Sequence, residues 1–190
     1  NQQNNIFYVD GATTNIKNVI LLIGDGMGLA QIQAGLSANF GQSNIINMQH
    51  IGFSRTEASN SDFTDSAAGG TAIATGHKTN NRYIGVDENG KLIASIPDTL
   101  ASHGIKSGII SSGDITDATP AAFYAHQMDR TMSQEIAADF LHSHVDILVG
   151  SHQESFLKNK DGKLMQKLNE KGYQLQTTLS DFEKATSGKQ

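Results

Sequence analysis

No cysteine occurs among the 190 residues, which removes disulfides, thiolate metal sites and a cysteine nucleophile together. The redox compartment stays open, because a cysteine-free chain folds on either side of a membrane. No apolar run approaches the roughly 18 to 20 residues of a membrane span; the longest, Val19 to Ile23, is strand-sized. Basic residues are in deficit, with 14 Lys and Arg against 19 Asp and Glu, a formal net charge of -5. With a pI of about 5.7, the chain lacks the basic stripe of a protein whose specific partner is nucleic acid. Charged residues make up 17% against 37% hydrophobic, which excludes a charge-rich disordered tail. An initiator methionine is missing too, and the chain opens Asn1-Gln2-Gln3-Asn4-Asn5. That opening reads as a mature end left after a signal peptide was removed, or as an edge where sequence was cut. The first reading is favoured and places the protein in a periplasm or outside the cell.

What is present fits one domain long enough to bury a sizeable core. Asn18-Val19-Ile20-Leu21-Leu22-Ile23 is a continuous apolar, β-branched run of the kind buried on both faces of a parallel sheet. It stops at the glycine-rich stretch 24–28, and a helical pattern follows to about Phe40. Ile51 to Glu57 reads as a second strand. Ser66 to Gly76, rich in Ala, Gly and Thr, reads as a tightly packed helix. Ile96 to His103 predicts a helix stopped by Gly104, and Ser107 to Ser111 a strand. Further helices are expected over Ala121 to His126 and Met132 to His142, where Ile136, Phe140 and Leu141 share one face. Val145 to Val149 is another buried strand, and Lys163 to Lys171 a helix closed by Gly172. This alternation argues for an α/β sandwich around a mostly parallel sheet. Thr186 to Gln190 has no apolar anchor and reads as a frayed end.

Ligands in open α/β sheets gather where the loops after the strands converge, and three such loops carry acidic or hydroxyl residues. In the first, Asp25 is flanked by Gly24 and Gly26, which let backbone approach a ligand closely. The spacing is Gly-x-Gly-x-Gly, not the dinucleotide fingerprint, and a carboxylate inside the loop would repel a pyrophosphate. Asp25 suits a hard cation, or else it caps the following helix. In the second loop, Thr64-Asp65-Ser66, the serine is either a helix cap or a group facing an oxyanion at a helix N-terminus. Gly76-His77-Lys78-Thr79 is no phosphate-binding P-loop, because His77 is inserted and no strand precedes it. The Gly-x-Ser-x-Gly elbow is absent as well, so Ser66 as a nucleophile would need a metal rather than a His–Asp pair. In the third loop, Asp117 and Thr119 stand two apart in an extended stretch before Pro120 and lean toward one ion, or cap the next helix. Arg130 follows, as a surface charge or as a guanidinium that grips two phosphate oxygens.

Taken together, these segments resemble the alkaline phosphatases. The similarity rests on Asn18 to Gly28, on Thr64-Asp65-Ser66-Ala67-Ala68 with Thr75 to Thr79, and on Asp117-Ala118-Thr119-Pro120-Ala121-Ala122. Their order and intervals fit, through about Tyr173. The resemblance implies a three-layer α/β sandwich and a phosphate monoester hydrolase with two zinc ions and one magnesium ion. By resemblance Ser66 is the nucleophile that becomes phosphorylated, and Arg130 the phosphate-binding arginine, held with help from Asp65. Asp25 would bridge the second zinc, which Ser66 also joins, and the magnesium; Asp117 and Thr119 match ligands around magnesium. Some relatives have histidine where this chain has Asp117, and an aspartate there should favour magnesium. A homodimer is implied as well.

The family's remaining metal ligands belong to the later part of a longer chain, and their motifs do not occur here. His50, His77, His103, His126, His142, His144 and His152 stand in none of them and read as surface or packing residues. The chain therefore resembles the N-terminal portion of the enzyme, residues 1–190 forming part of one domain without the first zinc site. A non-catalytic phosphate- or metal-binding fragment is the alternative. A sulfatase or phosphodiesterase relative is disfavoured by Asp65-Ser66-Ala67.

Overall fold

Apolar residues become strands only where their backbone groups meet a partner, and two segments of this chain do so. The computed structural model describes residues 16–160 and 162–185. Strand β1 (Gly108–Asp114) pairs in parallel with β2 (Ile147–Ser151), Gly108 opposite Ile147 and Ile110 opposite Val149. The register slips before Asp114 meets Ser151, where a side chain on Gly150 would collide with Ile115 and the Gly113 carbonyl. A parallel pair needs a long crossover, and residues 115–146 supply it with helices.

Eight α-helices lie among the described residues: α1 (Leu29–Ala38), α2 (Ser66–Thr75), α3 (Ile96–Ala101), α4 (Ala118–Ala121), α5 (Ser133–Asp139), α6 (Glu154–Leu157), α7 (Leu164–Glu170) and α8 (Leu179–Lys184). Their ends follow from local chemistry. Asp65 caps α2 by accepting the Ala68 amide at 2.9 Å, and Gly76 closes it at φ 75°, where glycine carries no Cβ penalty. Ser95 and Asp98 form a reciprocal capping box at α3.

The core gathers around Phe140, whose ring meets Tyr124 edge-on at 5.4 Å and packs with Phe156 and Tyr173 at 5.9 and 5.0 Å. Ile136, Val145, Leu164 and Leu168 close round it. The Tyr124 hydroxyl donates to the Ile115 carbonyl at 2.7 Å, and burial pushes that phenol well above its ordinary pKa. A groove of about 540 Å³ between β2, α7 and α8 contains none of the candidate site residues.

Several expectations are corrected. Asn18–Ile23 is not a strand: no partner pairs with it among the described residues, and Val19, Ile20 and Leu22 are exposed. Ile51–Glu57 is irregular for the same reason. The helix placed over Ala121–His126 starts earlier, at Ala118, because Asp117 caps it, and it dissolves into turns. Met132–His142 divides into α5 and a 3-10 turn at Phe140–His142. The 3-10 turn Asn44–Asn47 and helices α6 and α8 carry too short an apolar pattern to be anticipated. Residues 1–5 and 186–190 lie outside the described residues.

Candidate active site

Close packing of two small-residue helices builds the site. Helix α2 buries Ala67, Ala68, Gly70, Thr71 and Ala74, while α4 buries Ala118, Pro120 and Ala121. They touch at Gly70, where a Cβ would stand 3.2 Å from Ala122 Cβ and 3.4 Å from Thr119 Cα. That approach sets the N-terminus of α2, with Ser66, beside Thr119. Gly70→Val should therefore part the helices, at an overpacking cost of about 1 to 3 kcal/mol. Its melting temperature should fall, and a Tm equal to that of the parent would show that the contact is slack.

Asp25 joins the two helices. Ser66 Oγ donates to Asp25 Oδ1 at 3.2 Å, and Thr119 Oγ1 donates to Asp25 Oδ2 at 2.9 Å. Residues 41 and 94 positions from Asp25 thus meet at one carboxylate. Asp25 does not cap the following helix, where the Gln31 side chain instead accepts from the amide of Gly28, the residue before it. Nor is Ser66 a cap. Asp65 does the capping, so the Ser66 hydroxyl is left to face Asp25.

Asp117 does cap α4, accepting from the Ala118 amide at 2.7 Å, and the same oxygen takes Arg130 Nη2 at 2.9 Å. The other arm of Arg130 reaches Asp65 Oδ2 at 3.4 Å. Its side chain, 25% exposed, is therefore clamped between two carboxylates beside Ser66 rather than solvated. All six sequence-predicted residues, Asp25, Asp65, Ser66, Asp117, Thr119 and Arg130, come together.

Sequence reasoning missed three others. Asn81 holds the loop before α2, accepting from the Asp65 amide at 2.8 Å and donating to the Phe63 carbonyl at 2.8 Å. Arg82 donates its backbone N–H to Asp65 Oδ2 at 3.0 Å. Its guanidinium grips Asp129 through Nε at 3.0 Å and Nη2 at 2.9 Å. That grip, with the hydroxyl and amide of Thr131, holds the Asp129 carboxyl far below the ordinary carboxylate range. The sole sequence signal was the pair Asn80-Asn81, a turn former.

The donors can be tested against a metal. Asp25 is met by two neutral hydroxyls, and among the described residues no cationic side chain pairs with it. A carboxylate with two hydroxyl oxygens is an all-oxygen set, which fits a hard cation that keeps several waters. Zinc sites built on histidine are another matter. His126 is bonded to the Gly85 carbonyl, His144 to Asp98, and His103 to the Thr99 carbonyl, all as packing or surface groups. Among the described residues no group of three His, Cys, Asp or Glu side chains could hold a metal ion.

A family model, alkaline phosphatase, matches residues 16–189. The chain belongs to the alkaline phosphatase family. Alkaline phosphatase 4 of Bacillus subtilis is 35% identical over 184 residues, covering 89% of this chain and 40% of that protein. Among solved structures, the alkaline phosphatase from the Antarctic bacterium TAB5 superposes with a TM-score of 0.82 at 36% identity, over 87% of this chain and 49% of that one. A variant of the TAB5 enzyme with histidine replaced by aspartate, and Mg bound in its M3 site, superposes with a TM-score of 0.82 at 38% identity, over 87% and 48%. The chain thus spans somewhat under half the length of these relatives. Its α/β architecture, a parallel sheet with flanking helices, is that of the alkaline phosphatases.

Proposed function

We propose that this chain is the nucleophile-bearing, N-terminal portion of a phosphate monoester hydrolase that works through a phosphoserine. The observation that carries the reading is Ser66 at the first turn of α2, its hydroxyl on Asp25 and Arg130 beside it. Asp25 holds the Ser66 hydroxyl in one orientation and accepts its hydrogen. Arg130 offers a planar fork to two non-reacting phosphate oxygens, while Asp65 and Asp117 keep that fork aimed. The free N–H groups at the start of α2 lend a positive end to the same pocket. In-line attack forms the Ser66 Oγ–P bond and breaks the ester P–O bond, and the alcohol leaves with a proton. Water then cleaves the Oγ–P bond, which releases inorganic phosphate and restores Ser66.

Asp25 with Ser66 would hold part of a zinc site, and Asp25, Asp117 and Thr119 a magnesium. Divalent cations bound there would lower the pKa of the serine hydroxyl and neutralise phosphate charge. Support for magnesium comes from the all-oxygen donor set and from the TAB5 variant, in which an aspartate in place of histidine accompanies bound Mg. A first zinc would need ligands beyond the described residues. Homodimer formation and a periplasmic or secreted location belong to the same proposal.

Chelation of the full-length protein should abolish hydrolysis of a chromogenic phosphate ester, and zinc with magnesium should restore it. Phosphate binding without turnover in the reloaded protein would favour the non-catalytic reading instead. Arg130→Ala should weaken inhibition by inorganic phosphate by about 1.5 to 3 kcal/mol, the scale of a hydrogen bond to a charged group. An unchanged inhibition constant would return Arg130 to the surface charges.

A further inference from the structure

Arg82 sits in the left-handed region at φ 75°, where a bulky side chain is an outlier. Strain of that kind persists where the surroundings over-determine it. Here they do so twice. The Arg82 amide donates to Asp65 Oδ2, the oxygen that Arg130 Nη1 also reaches, and the Arg82 guanidinium clasps both oxygens of Asp129, the residue next to Arg130 in the chain. Asp129 in turn draws in the amide and hydroxyl of Thr131 at 2.8 and 2.6 Å, so the backbone is tied on both sides of Arg130. The contacts close a ring: Arg82 amide, Asp65 carboxylate, Arg130 guanidinium, the Asp129–Arg130 backbone, and the Asp129 carboxylate back to Arg82.

We infer that Arg82 and Asp129 form a positioning pair that presets the direction of the Arg130 fork toward phosphate. The inference rests on the reading of Arg130 as the phosphate-binding arginine. An exposed ion pair adds little to global stability, so the effect of this one falls on the geometry of Arg130. A single bidentate pair also explains why lysine would be a poor substitute at position 82, since an ammonium cannot span both carboxylate oxygens.

The test uses Arg82→Gly, Arg82→Lys, Asp129→Ala, the double variant Arg82→Gly/Asp129→Ala, and Arg130→Ala in the full-length enzyme. Glycine accepts φ 75° without strain, so Arg82→Gly removes the side chain while relaxing the backbone. Its melting temperature should hold or rise, whereas the inhibition constant for inorganic phosphate and the KM should each increase about two- to fivefold, with kcat little changed. Arg82→Lys should recover only part of that loss. The double variant should be no worse than either single variant, because one interaction is removed once. A wild-type inhibition constant in Arg82→Gly, or strictly additive losses in the double variant, overturns the inference while leaving Arg130 in place. An inhibition constant unmoved by Arg130→Ala overturns both the inference and the assignment on which it rests.

Discussion

Ser66→Ala in the full-length enzyme is expected to cut turnover of phosphate esters by about four orders of magnitude or more, the scale seen when a covalent nucleophile is removed. It should do so with almost no loss of stability. Asp65 caps α2, so removing the Ser66 hydroxyl leaves that cap on the Ala68 amide intact. Ser66 is the first residue inside the helix, where alanine is the better helix former. The Oγ gives up one exposed hydrogen bond, to Asp25, at 3.2 Å. Asp65→Ala supplies the contrast, because it strips the cap and one anchor of Arg130 together, and it should lower both Tm and phosphate affinity. Incubation of the wild-type enzyme with labelled phosphate at acid pH, followed by peptide mapping, should place the label on Ser66. Label on another residue, or unimpaired turnover by Ser66→Ala, would remove Ser66 from the mechanism.

The α/β class was legible in the sequence while the pairing of its individual segments was not, and the reason is physical. Helix α2 was readable because its signals are local: an Asp65-Ser66 start, a run of small residues and a Gly76 stop. The meeting of Asp25 with Thr119 is not local at all, and composition alone left each of them open as a helix cap. Only the three motifs in order, and the family they resemble, singled out that carboxylate. Asn18–Ile23 failed as a strand for the opposite reason. Its β-branched run states what the segment would bury, but a strand also needs a neighbour's backbone, which no pattern within the segment supplies. Arg82 and Asp129 were invisible because a surface arginine and a surface aspartate 47 positions apart carry no spacing signal. Their pairing exists only once the Asn80–Tyr83 turn, closed by the Tyr83 amide on the Asn80 carbonyl, has placed them side by side.

The 190-residue chain on its own is expected to show no enzyme-like phosphatase activity and to self-associate. Ligand number limits the first property. Catalytic zinc usually takes three protein ligands and keeps one open position. Asp25 and Ser66 would make up part of one proposed shell, and among the described residues no group of three His, Cys, Asp or Glu side chains could hold a metal ion. On the mechanism proposed above, a first zinc would supply the Lewis acid for the leaving oxygen and lower the pKa of the attacking water. On the same proposal a hydrated magnesium would still gather at Asp25, Asp117 and Thr119, since that ion keeps several waters and uses few protein ligands. Unburied apolar surface decides the second property. Val19, Ile20 and Leu22 are 86, 84 and 82% exposed, and Ile110, on β1, is 81% exposed. Apolar stretches of this kind, and the open edges of the two-stranded sheet among the described residues, invite pairing with another chain. Sedimentation of the purified chain should reveal oligomers, and a chromogenic ester assay with zinc and magnesium should stay at background. Turnover at about 1 s⁻¹ or above would show that other residues of this chain complete the metal shell. A strictly monomeric chain would show instead that Val19–Leu22 finds cover within it.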